Sequence, residues 1–194
     1  MFEPKTKEPL LSKEIEAIVL RSMGEETSEF SNVVTRSDDV FRYKYAVLKA
    51  LTTNEDILRT LHHPTLSQEM PLNGDSFRNV CIFDFLKLPD LEQKVKNYVC
   101  FDVFTSYGNN RDLNVTLIIR VVSHIDDMVT DHGINRQDLL GLIISNTFDW
   151  SHIFGGITMY KDSDSPDSTD KGFVYRDLMY RGTVANNYHS RISH

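Results

Sequence analysis

A run of alternating apolar and polar residues between Asn97 and Val122 constrains the fold of this chain more than any other feature. A period of two places apolar side chains on one face of a β-strand. The residues Gly108-Asn109-Asn110 in the middle of the run tolerate the positive φ that a tight turn needs. The sequence therefore predicts a β-hairpin. The apolar positions of its two strands are Val99, Phe101, Val103, Val115, Leu117, Ile119 and Val121.

The opposite face of the second strand carries both apolar and polar side chains. It is too apolar for full exposure to solvent and too polar for the core of a monomer. It presents Thr116, Ile118, Arg120 and Val122. The solvated face of an antiparallel sheet is usually polar, and an extended apolar surface usually marks an interaction site. We therefore expect a partner to cover this face.

A helix after the hairpin has the clearest start signal in the sequence. Asn135 is a favourable N-cap, and Asp138 follows three residues later. The spacing predicts a helix over residues 135–149 with one continuous apolar face. Trp150 comes next, and we expect it to anchor the helix end to the sheet, with an interface contact as the second interpretation. The apolar face consists of Leu139, Leu140, Ile143, Ile144 and Phe148.

The remaining segments predict a second hairpin and an N-terminal helical region. The stretches ITMYK and FVYRDLMYRGTV are typical of strands, with DSDSPDSTDKG as an exposed tip. Helices are predicted from Ser12 to Arg21 and from Asp38 to Leu51. A short third helix would begin with a capping box at Thr53 and Asp56. Residues 62–79 contain two prolines and a glycine and predict a long loop.

These elements predict an α+β fold with a mostly antiparallel sheet of two hairpins, packed by a central helix and preceded by helices. Residues 1–79 would form the helical part and residues 80–194 the α+β core with a flexible C-terminal tail, in one domain overall. Cys81 and Cys100 lie in strand-like apolar runs, so we expect buried, reduced thiols. A disulfide between them would need a suitable strand register.

The net charge and the N-terminal sequence limit which partners and which cell compartment the protein can have. The 194 residues carry a formal net charge of −7 at pH 7, which argues against a protein dedicated to binding phosphate backbones. The start MFEPKTKEPLL has no basic-then-apolar signal pattern, and no apolar run approaches the length of a membrane span. We expect synthesis in a cytoplasm and no membrane partner.

One cluster of residues could carry metal chemistry. A metal-dependent hydrolase using His124, Asp126, Asp127 and His132 is an alternative hypothesis, since these residues follow a strand end. A charged loop before a helix N-terminus, where the helix dipole favours anions, explains the same residues. The adjacent histidines His62-His63 have no Cys or carboxylate ligand at a recognised spacing.

Catalytic and nucleotide-binding motifs are otherwise missing from the sequence. It contains no GxSxG, GxxxxGK[ST] or GxGxxG pattern and no paired CxxC. We therefore expect a protein without catalytic residues, cofactor or metal. A further alternative is a soluble adaptor that binds a host protein through residues 62–79.

Three stretches of the chain resemble phage and prophage tail-terminator or tail-completion proteins. They are NYVCFDVFTSYGNNRDLNVTLIIRVVSH, INRQDLLGLIISNTFDWSHIFGG and GFVYRDLMYRGTVANN, and the resemblance covers about residues 80–188. It implies a structural subunit of the virion neck, assembled in the host cytoplasm. The subunits would form a ring, usually a hexamer, that caps the tail tube and joins it to the head connector. DNA would pass through the ring without sequence-specific binding, and carboxylates lining the lumen would discourage sticking.

The resemblance also implies where the subunit would make contacts. A heterologous interface that closes by rotation forms a ring. The face with Ile118, Arg120 and Val122 would supply part of it, together with Trp150. The two hairpin tips would contact neighbouring proteins. The first tip contains Gly108, Asn109, Asn110 and Arg111, and the second contains Asp164 and Asp167.

Overall fold

The computed structural model describes residues 36–86, 96–107, 112–168 and 172–185. The predicted helix from Ser12 to Arg21, the turn at residues 108–111 and the C-terminal tail lie outside these residues. The described helices are α1 (Arg36–Thr53), α2 (Glu55–Thr60) and α3 (Arg136–Phe148). The described strands are β1 (Ile82–Phe83), β2 (Asn97–Tyr107), β3 (Asp112–His124), β4 (Tyr160–Ser168) and β5 (Phe173–Ala185).

The five described strands form one sheet in the order β1-β2-β3-β5-β4. The hairpins β2–β3 and β4–β5 lie side by side because β3 pairs antiparallel with β5 along its whole length. Strand β1 pairs with β2 in the parallel direction, so the sheet is mixed. The predicted α+β class with two antiparallel hairpins is confirmed.

We call the side of the sheet that packs against the helices the first face. The predicted alternation is confirmed there, since the apolar set from Val99 to Val121 is buried. Helices α1, α2 and α3 contribute to the same cluster, so residues on both sides of the predicted boundary at position 79 share one core. Burial of apolar area on this face stabilises the fold. Fully or almost fully buried side chains from the helices include Leu51, Ile57, Leu58, Ile144 and Phe148.

Side-chain caps define the starts of two helices. Asn135 caps α3 as predicted, because its side chain accepts a hydrogen bond of 2.9 Å from the Gln137 N–H. The predicted capping box at Thr53 is wrong. Thr53 completes α1 and donates its hydroxyl to the Lys49 carbonyl, and Asn54 instead accepts from the N–H groups that open α2.

Residues 62–79 are packed more closely than the predicted long loop. They contain two 3₁₀ turns, Leu66–Gln68 and Gly74–Phe77, and Phe77 is fully buried. A Cβ atom at Gly74 would collide with the Thr52 carbonyl, so this segment lies directly against the end of α1. The sequence did not predict this packing, because the apolar residues of the segment have no regular period and nothing distinguishes Phe77 as buried.

The predicted tip of the second hairpin is wrong in extent. Strand β4 runs from Tyr160 to Ser168, so the acidic stretch belongs to an edge strand. Asp164 pairs with Leu178 and Asp167 pairs with Tyr175 in the register of β5. Charged residues and a proline are common devices on sheet edges, because they discourage pairing with other strands.

The two cysteines are free and buried, as predicted. They belong to clusters on opposite faces of the sheet, Cys81 on the first and Cys100 on the other. Burial raises the pKa of the Cys81 thiol to about 12. None of the described helices has the length and apolarity that a membrane span needs.

Candidate functional site on the second face of the sheet

The second face is the side of the sheet turned away from α1, α2 and α3. At one end it has a small apolar cluster without any helical residue from the described part of the chain. Val122 belongs to this cluster and has no exposed area, so its predicted contact with a partner is wrong. The side chain is already covered by its own sheet. The other members are Phe83, Tyr98, Cys100 and Phe173.

An ion pair holds the middle of the second face. Arg120 and Asp177 lie directly opposite in the register of β3 and β5. The guanidinium donates two hydrogen bonds of 2.7 Å to the carboxylate, and it also lies 4.6 Å from the Tyr175 ring centre. The hydrogen bond with Asp177 raises the pKa of Arg120. This charge is therefore neutralised within the chain, which lowers the cost of covering it.

Both predicted aspartates of β4 are engaged in similar contacts. Tyr175 donates its hydroxyl to Asp167 over 2.7 Å, and this bond lowers the pKa of the Asp167 carboxyl. Asp164 accepts from Lys161 over 2.8 Å. Neither aspartate is a free tip residue. The residues Gly108, Asn109, Asn110 and Arg111 lie outside the described residues.

The far end of the second face is more exposed. Four side chains form a row across four strands, because Phe104 pairs with Thr116, Thr116 with Arg181, and Arg181 with Tyr160. Phe104 is 46% exposed and Tyr160 is 43% exposed. Ile118 lies one row further in, half-buried. The face thus offers apolar and aromatic area between paired charges.

A groove of about 430 Å³ opens at this end. Its walls are mainly polar and include hydroxyl and amide groups and the Arg181 guanidinium, whose side chain is 54% exposed. Asp162 binds one side of that guanidinium at 3.2 Å. A planar aromatic side chain can stack on such a group. The lining residues are Ser106, Asn114, Val115, Thr116, Tyr160, Arg181 and Thr183.

Trp150 does not anchor the helix end, so that prediction is wrong. Its side chain is 73% exposed, and its φ of 56° lies in the left-handed region. The neighbouring residues secure the chain instead. Asp149 accepts from the Lys161 N–H, and the Ser151 carbonyl accepts from the Met159 N–H. The second interpretation, an interface contact, stays a prediction.

A polar cluster around Asp127 joins the start of β2, the end of α2 and the start of α3. Arg136 donates to the Asp127 carboxylate over 3.2 Å and to the Thr60 carbonyl over 2.9 Å. Asn97 donates to the same carboxylate over 2.6 Å, and the His62 ring nitrogen lies 3.1 Å from it. Burial would raise the Asp127 pKa, but the hydrogen bonds from His62 and Asn97 and the charge of Arg136 outweigh it and lower the pKa.

These contacts leave the hydrolase hypothesis without an assembled set of ligands. In residues 36–86, 96–107, 112–168 and 172–185, no group of three or more His, Cys, Asp and Glu side chains is placed to hold a metal ion. Asp127 is turned toward Arg136, and the His124 ring accepts from the Asp126 N–H at 3.2 Å. His132 is exposed on a turn. The contact of His62 with Asp127 was missed because 65 residues separate them.

Comparisons with known proteins give a family match and similarities to solved structures. The model of the YomW family, a phage-associated family, matches residues 54–181. No curated protein matches the sequence. The fold is similar to a chain described as "Virion of native gene transfer agent (GTA) particle", with a TM-score of 0.45 and 13% identity over 73% of this chain and 92% of that chain. At those values the likeness assigns no function.

Proposed function

The chain belongs to the YomW family, and from this premise we propose that it is a structural protein of a phage-type virion. More specifically, we propose a tail terminator or neck subunit that forms a ring, caps the tail tube and joins it to the head connector. The subunit acts by binding other copies and neighbouring virion proteins. It performs no catalysis.

The observation that carries this proposal is the second face of the sheet. No described helix covers it, and its central charges are already paired in the bond between Arg120 and Asp177. Half-buried Ile118 and the exposed rings of Phe104 and Tyr160 add apolar area around that pair. Interfaces combine aromatic anchors with polar groups whose hydrogen bonds are satisfied. Such a surface suits burial against another protein.

Net charge favours a role around DNA without binding it. The chain carries −7 at pH 7, and a ring of several copies multiplies that charge. Carboxylates repel the phosphate backbone, so a DNA molecule passing through the lumen would not be held. This property suits a joint between head and tail.

Complementation of defective particles tests the proposed role. Phage heads and tails would be prepared from a host in which this gene is deleted, and the purified chain would be added back. We expect added protein to form rings visible by negative-stain microscopy and to restore joined, infectious particles. Light scattering would give the mass of the ring in solution.

An interface-defective variant sharpens that test. Ile118→Lys replaces an apolar side chain of the second face with a charged one, so it should neither form rings nor restore joining. Met70→Lys is the matched control, since Met70 is 82% exposed on the packed 62–79 segment. A wild-type protein that stays monomeric and leaves heads and tails separate would refute the proposed function.

A further inference from the structure

Trp150 occupies a position at which most of its side chain is exposed to solvent. It follows Asp149, the C-cap residue of α3, and adopts a φ of 56°, a conformation that favours glycine. Non-glycine residues in this region are strained, and here the indole is 73% exposed, so burial within the chain does not offset the strain. A contact with another molecule would offset it.

The groove on the second face has the chemistry to receive an indole. The groove is lined mainly by polar groups, and the exposed Arg181 guanidinium among them offers a stacking surface. Among aromatic side chains, the indole is the best partner for a cation in a cation–π contact. Thr183 and its hydrogen-bond partner Asn114, 2.9 Å away, supply acceptors for the indole N–H.

The groove and Trp150 belong to opposite layers of the subunit. Trp150 lies two residues beyond the end of α3, which packs on the first face, whereas the groove opens on the second face. Two different surfaces that complement each other make a heterologous contact, which generates rings when the rotation closes. We propose that Trp150 of one copy inserts into the second-face groove of the next copy. The inference rests on the proposed function, because it specifies the interface of the proposed ring.

Tryptophan fluorescence reports this contact directly, since the sequence contains a single tryptophan. Insertion moves the indole from water into a protein groove, so its emission maximum should shift to shorter wavelength as rising concentration drives assembly. Assembly seen by light scattering without any such shift would overturn the inference and leave the proposed virion role standing.

The substitution Trp150→Gly separates assembly from folding. Glycine suits the positive φ, so the variant monomer should melt at the wild-type temperature or above it. Its association should weaken by at least about tenfold, as for loss of an interface hot spot. Asn79→Gly is the matched control, because Asn79 is exposed with a φ of 58° and its replacement leaves Trp150 in place. We expect the control to assemble normally.

A mixing experiment tests whether the contact is heterologous. Thr183→Tyr would fill the groove and leave Trp150 intact, whereas Trp150→Gly keeps the groove open. Each variant alone should be monomeric, but a mixture should form dimers that grow no further, since one good interface remains per pair. Normal rings from either variant would overturn the inference. A wild-type protein that never assembles would overturn both the inference and the proposed function.

Discussion

Arg120 and Asp177 face each other across β3 and β5 and are joined by two hydrogen bonds of 2.7 Å. The Arg120 side chain is 15% exposed and the Asp177 side chain 30%. A bidentate pair fixes the geometry of both groups, and partial burial reduces screening by salt. The pair therefore helps to fix the register of the two hairpins and leaves the centre of the second face electrically neutral.

Breaking this pair should destabilise the fold. Arg120→Met keeps most of the length of the aliphatic side chain but removes the guanidinium. The Asp177 carboxylate then has no ion-pair partner from position 120 in a partly buried site. We expect a loss of about 1–2 kcal/mol in the free energy of unfolding, measured by urea denaturation. The double variant with Asp177→Asn should lose less than the sum of the single changes. Additive losses would show that the two groups do not act as a pair.

The side chain of Ile118 should matter for assembly and little for folding. It is half-buried on the second face, between Asp102 and Met179 in the strand register. We expect Ile118→Lys to change the free energy of unfolding by less than about 1 kcal/mol, because the lysine can extend into solvent. Analytical ultracentrifugation should show loss of the ring. Rings of wild-type mass would contradict an interface at this position.

A close contact at Gly182 should make that position intolerant of any side chain. Gly182 pairs with Val115, and a Cβ atom there would collide with Ile157 and lie 2.7 Å from the Met159 sulfur. We expect Gly182→Ala to cost about 1–3 kcal/mol, seen as a lower melting temperature. Gly156→Ala is the control, since no atom lies within 4 Å of its added Cβ. Equal melting temperatures would disprove the close packing.

Local patterns predicted the strands of the first hairpin and α3 correctly because their signals lie within a few residues. Period-two burial in β3 and the Asn135 cap depend on neighbours in sequence. The sequence did not predict the full length of β4. Its charged residues have low β-propensity and are part of a strand because they pair with β5. The length of an edge strand of this kind therefore depends on pairing between segments that are distant in sequence.

The candidate site was predicted in part for the same reason. Alternation correctly placed Ile118 and Arg120 on the second face, but the burial of Val122 depends on Phe83 and Phe173, which are distant in sequence. The exposure of Trp150 had no local signal either. An apolar ring after a helix usually packs on its own sheet, and here the backbone conformation turns it outward.

The Asp127 cluster should make the stability depend on pH in acid. Its contacts lower the Asp127 pKa below the unfolded value of about 3.9, so the stability they give is present above that value and is lost as pH falls through the folded pKa. Asp127→Asn leaves Arg136, with a 7% exposed side chain, lacking its carboxylate and should cost roughly 3 kcal/mol at pH 7. The variant should also lose part of the acid-dependent decrease in urea midpoint, whereas Asp126→Asn, 62% exposed, should keep it.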